Sequence, residues 1–159
     1  SGTGNMKLAM NGALTIGTLD GANIELCEEV GSENMFIFGL KSAEIQELRE
    51  QRAYQPRQYY ERFPALQRVV DTFRSALFCP QEHGLFTWIY HALVDHGDHY
   101  FHLADFPSYH AAHQQAAQLF TEPEAWARKA ILNVARCGKF SSDRTIQEYA
   151  RDIWHIRSV

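Results

Sequence analysis

Only two stretches of this 159-residue chain favour extended backbone, and both are short: Leu14-Thr15-Ile16-Gly17-Thr18 and Met35-Phe36-Ile37-Phe38. Between them Asp20-Gly21 makes a turn, and Ala22-Asn23-Ile24-Glu25-Leu26 opens a helix that ends near Gly31. Strand, helix, strand at this spacing predicts a βαβ unit, with the almost wholly apolar second run covered on both faces. Two parallel strands cannot bury themselves, so further strands are expected upstream of Ser1. The chain also opens on a glycine-rich loop, with neither an initiator Met nor the strand that normally holds such a loop in place. It reads as a piece of a longer protein.

From Ser42 onward the pattern is helical. Helices are expected over 42–51, 56–62, 64–77, 85–95, 108–120 and 122–136. Ser142 or Asp143 is expected to cap a last helix whose apolar positions Ile146, Tyr149, Ala150 and Ile153 follow i, i+3, i+4, i+7. Residues 1–40 hold seven of the ten glycines and form the α/β part. Residues 41–159 are read as the helical remainder of the same domain. A formal net charge of −4 excludes a broadly basic nucleic-acid coat and a polybasic membrane binder. No apolar run approaches the ~18–20 residues of a membrane span. Cys27, Cys79 and Cys137 are odd in number and far apart, which argues against a disulfide framework and for a cytosolic setting.

The chemistry concentrates in Ser1-Gly2-Thr3-Gly4-Asn5-Met6-Lys7. The dinucleotide fingerprint fails here because Lys7 stands where its third glycine belongs. The P-loop fails because Gly4 is three residues before the lysine instead of adjacent to it. What remains is an anion-binding loop. Small residues let backbone N–H groups approach a charge, and a short helix over 5–11, ended by Gly12, presents its positive end. Lys7 can act there as a point charge or, desolvated, as an amine that forms a Schiff base. Residue type alone favours a solvated lysine; the Gly-x-Gly turn ahead of it brings the two readings level.

The run SGTGNMKLAMNGALTIGTLDGANIEL resembles the pyridoxal-phosphate site of the α-glucan phosphorylases, and GKFSSDRTIQEYARDIW extends the resemblance to the end of the chain. Family members are several times longer, so the chain resembles their C-terminal part. The resemblance implies an α/β fold, the tail of a Rossmann-like (GT-B type) C-terminal domain. It implies a cytoplasmic, allosteric, homo-oligomeric glycosyltransferase that phosphorolyses α-1,4-glucan to glucose 1-phosphate. Lys7 would carry pyridoxal phosphate, whose phosphate group exchanges a proton with the substrate orthophosphate. Backbone amides at Thr3 and Gly4, next to Gly2, would cradle the cofactor phosphate, and Ser1 and Gly2 would offer N–H groups to the glucosyl hydroxyls. The cations that hold substrate phosphate and the opposing N-terminal domain precede the motif. The 159-residue chain alone is therefore expected to be inactive and to hold the cofactor weakly or not at all. No nucleic acid, membrane or metal is expected. The competing reading is a truncated, non-catalytic interaction module without cofactor.

Other clusters carry weaker signals. His91, His96, His99 and His102 include one pair, His99 and His102, spaced to share a metal, against the plainer reading of exposed or capping histidines. Tyr54, Tyr59, Tyr60 and Phe63, interleaved with Arg52, Arg57 and Arg62, suggest a stacking surface for nucleic acid, but amphipathic helix packing is favoured. The cysteines are expected to be small buried hydrophobes. Lys139 and Arg144 are expected to serve helix capping.

Overall fold

The computed structural model of the chain describes residues 3–156. It is mostly helical, with β1 (Ile16–Thr18) and β2 (Phe36–Phe38) paired in parallel as one open sheet. These strands lie within the two β-prone runs. They are the expected α/β tail of a GT-B domain: two short parallel strands, then helices.

The chain divides into two compact units, one of residues up to Ile37 together with those from Ala112 on, the other Phe38–Ala111. In the first, α1 (Gly4–Met10) ends as expected at Gly12, whose φ of +84° suits a residue without a Cβ. The amide of Ala13 there returns to the carbonyl of Leu8. After β1, α2 (Ala22–Val30) supplies Leu26 and Val30 to the core, and a 3-10 turn over Ser32–Asn34 leads into β2. Ala9, Leu26, Val30, Met35 and Cys137 form that core, with Met10, Cys27, Ile37 and Phe140 packed around it.

The second unit contains α3 (Ser42–Glu50), α4 (Pro56–Arg62) and α5 (Pro64–Asp71). Proline at the first position starts the latter two, where its missing N–H and fixed φ cost nothing. The expected helix 64–77 stops at Asp71 and tightens into a 3-10 turn over Thr72–Arg74. In place of a helix over 85–95 there is a single turn, α6 (Thr87–Tyr90), and a π-helical segment His91–Asp95. α7 (His102–Phe120) begins six residues earlier than expected and carries Pro107 inside it. The carboxylate of Asp98 accepts from Leu103 N at 2.7 Å and so secures its first turn. Tyr60, Leu66, Val70, Tyr90, Val94 and Leu103 make this unit's core.

Back in the first unit, α8 (Pro123–Arg136) and a 3-10 turn over Cys137–Phe140 precede α9 (Ser142–Asp152). Its cap lies one residue before the expected ones: Ser141 Oγ accepts from Asp143 N at 3.2 Å. Among the described residues no helix is long and apolar enough to cross a membrane.

Candidate functional site

Thr3, Gly4 and Lys7 share the short segment at the start of α1; Ser1 and Gly2 lie outside the described residues. At 3.6 residues per turn Asn5 and Ala9 fall about 40° apart on one face of α1, and Lys7 lies about 200° from each. Ala9 is fully buried in the core, so Lys7 leaves on the opposite, exposed face beside Leu8.

A chain of amides holds the other end of that inner face. Met6 N donates to Asn5 Oδ1 at 2.9 Å, Asn5 Nδ2 to Asn23 Oδ1 at 2.8 Å, and Asn23 Nδ2 to the carbonyl of Thr18 at 2.9 Å. Gly17 of β1 makes room for this: a Cβ there would lie 2.6 Å from Asn23 Nδ2. Gly4, Asn5, Thr15, Asp20, Gly21 and Asn23 border a cleft of about 430 Å³. Asn5, Gly17 and Asn23 did not stand out in the sequence. Their one signal is the placing of two asparagines just inside the starts of consecutive helices.

The segment fits an anionic aldehyde cofactor. Thr3 is exposed, and a Cβ built on Gly4 would meet no atom within 4 Å, so a phosphate group has open approach to this backbone. The exposed primary amine of Lys7 follows one turn on, with its own N–H on the carbonyl of Thr3.

The remaining sequence candidates have structural partners. His91 Nδ1 meets Asp95 Oδ2 at 2.7 Å, and Arg57 reaches the other oxygen at 2.6 Å. The bond from His91, more than the Arg57 charge, holds the Asp95 carboxyl below the ordinary carboxylate range. His99 and His102 each pack a ring against Tyr100. Among the described residues no group of three or more His, Cys, Asp or Glu side chains is placed to hold a metal ion. Tyr60 is core, Tyr59 and Phe63 pack on it, and Tyr54 stacks on Phe101, so the aromatic cluster is helix packing. Cys137 is fully buried, and burial pushes its thiol up; Cys27 and Cys79 are half-buried. Lys139 pairs with Glu29, and Arg144 donates to the carbonyl of Lys139 at 2.6 Å and to Glu148 at 2.7 Å.

A family model described as carbohydrate phosphorylase matches residues 1–156. The chain belongs to that family. Glycogen phosphorylase of Chlamydia pneumoniae is 52% identical over 156 residues, covering 98% of this chain and 19% of that protein. Glycogen phosphorylase of Synechocystis is 52% identical over 159 residues, covering 100% and 18%. The human brain form is 48% identical over 156 residues, covering 98% and 18%. The chain thus spans less than a fifth of the length of these curated relatives.

Proposed function

We propose that this chain is the C-terminal part of an α-glucan phosphorylase and supplies its cofactor lysine. The observation that carries the reading is the family match over residues 1–156, which includes the whole loop from Ser1 to Lys7. The intact enzyme would be a cytoplasmic homo-oligomer that transfers glucosyl units from α-1,4-glucan to orthophosphate. Pyridoxal phosphate, when bound, supplies the phosphate group that exchanges a proton with the substrate orthophosphate.

The chain's own residues hold and orient. Lys7 anchors the cofactor through its amine, and the backbone N–H groups at Gly2, Thr3 and Gly4 would donate to the cofactor phosphate. Ser1 and Gly2 would offer backbone N–H groups to the glucosyl hydroxyls. Preformed backbone donors suit this task, because phosphate chemistry is dominated by positioning and electrostatics. The 159 residues alone lack the cations that clamp substrate phosphate and the domain that closes the cleft. Alignment of the reacting groups, and the effective molarity it provides, is therefore lost. Lys7 is exposed in this chain, so by itself the chain would hold the cofactor weakly or not at all.

Borohydride treatment with peptide mapping tests this. The intact enzyme should carry reduced cofactor on Lys7, and the isolated chain should carry none. Release of glucose 1-phosphate from glycogen by the purified 159-residue chain would overturn the inactivity of the part.

A further inference from the structure

We propose that Asn23 is the positioning residue for Lys7. It fixes the rotation of α1 about its axis, and with it the direction in which the amine leaves the unit. The inference rests on the reading of Lys7 as the cofactor anchor.

A helix of two turns is marginal by itself and takes its orientation from what it packs against. One side of α1 is held by Ala9, fully buried in the core. A methyl contact of this kind is non-directional and leaves the helix free to roll. Asn5, one turn earlier on the same face, gives the second point of attachment, and Asn23 is what it attaches to.

The amide chain has one direction only. The N–H of Met6 can only donate and the carbonyl of Thr18 can only accept. Flipping either asparagine would therefore break two of the three bonds at once. Through this chain α1 is tied to the end of β1 by the first turn of α2, so three elements share one register. The close approach at Gly17 belongs to the same arrangement, because any side chain there would push Asn23 away. Lys7 is exposed and takes its direction from the helix that carries it.

The test compares the intact enzyme containing this chain with its Asn23→Asp, Gly17→Ala and Lys7→Ala variants, each prepared with and without pyridoxal phosphate. Asn23→Asp keeps the shape and the acceptor for Asn5 but loses the donor to Thr18. Gly17→Ala keeps Asn23 and displaces it. In the cofactor-free enzyme, amide exchange over residues 4–10 should rise roughly five- to tenfold in both variants, the factor of about one net hydrogen bond, with α8 unchanged. Cofactor release on dilution should quicken by a similar factor. Three results would overturn the proposal: unchanged exchange over 4–10, a rise spread evenly through the first unit, or faster exchange with unchanged cofactor release. Lys7→Ala tests the underlying reading separately. If that variant holds cofactor as wild type does, Lys7 is not the anchor. Exchange in the cofactor-free enzyme then still decides whether Asn23 orients the helix.

Discussion

In the second unit every core residue, from Tyr60 to Leu103, comes from one continuous stretch of chain. The first unit draws its core from Ala9 to Met35 and then from Cys137, across more than a hundred residues. Polar bonds between partners 96 to 110 residues apart close it. Lys129 donates to the carbonyl of Glu33, Asn133 to that of Asn34 at 3.0 Å, and Arg136 to that of Val30 at 2.8 Å. Two of these donors are cations at the C-terminal end of α2 and the turn after it, where free carbonyls favour positive charge. The difference teaches where the chemistry sits. The loop that bears Lys7 stands on the unit that must close a long chain loop before its contacts form, whereas the unit built from local contacts carries none of the proposed cofactor residues.

The strongest test of that division is functional. Lys7→Ala in the intact enzyme should abolish phosphorolysis while circular dichroism and melting stay near wild type. His102→Ala, exposed in the second unit, should leave turnover within a few-fold. Equal losses from the two substitutions would break the comparison.

Next in size is the core of the first unit. Leu26 is fully buried, and Leu26→Ala should cost about 2–5 kcal/mol through lost contacts and a residual cavity. Amide exchange should then rise in α1, α2 and α8 ahead of α4 and α5. A single transition that opens both units together would show that the division has no energetic meaning.

The second unit has its own buried polar anchor. Asp98 is 2% exposed, and its Oδ2 accepts from Tyr54 at 2.6 Å as well as from Leu103 N. Burial first, then the bond to Asp98, push the Tyr54 hydroxyl far above its ordinary value; burial and Asp71 push Tyr60 up in the same way. A pKa raised by folding contributes stability that is whole below the unfolded value, about 10 for tyrosine, and is lost as pH climbs beyond it. Tyr54→Phe should cost about 1–3 kcal/mol at neutral pH by removing a donor from a buried carboxylate. It should also flatten the alkaline fall in this unit's stability. A near-UV signal with the same alkaline limb in the variant would refute the assignment.

The smallest effect is expected on α9. Ile146, Tyr149, Ile153 and Trp154 are all exposed, so the apolar stripe has no cover among the described residues. Ile146→Ser should change the stability of the chain by less than about 0.5 kcal/mol. In the intact enzyme, deleting residues 141–159 should weaken docking of this C-terminal part onto the N-terminal part of the protein more than it disturbs cofactor binding. Equal docking with and without the segment would remove that role from the stripe.

Legibility followed the range of the interactions. Pro56 and Pro64 start their helices where the sequence places them, and Gly12 and Gly31 end theirs, because these residues act on their own backbone. The start of α7 was hidden because Pro107 looks like a first-turn residue. Asp98 and Phe101, both at positive φ, in fact turn the chain so that a carboxylate meets Leu103 N. The π-helical segment before that turn leaves no mark in apolar periodicity. At the candidate site Lys7 and the small residues before it were legible as a motif, whereas Asn5 and Asn23 met only when α1 and α2 were folded together.

The sequence by itself determined the two strands, most helix limits and the family, since propensity, turn chemistry and a dense motif are local properties of the chain. Tertiary structure alone decided that Asn23 joins α1 to β1, that Cys137 completes the core under Ala9, and that Lys7 faces outward. Each of these depends on which surfaces meet after distant segments close, and hydrogen-bond direction and core packing have no counterpart in the spacing of residues along one strand of sequence.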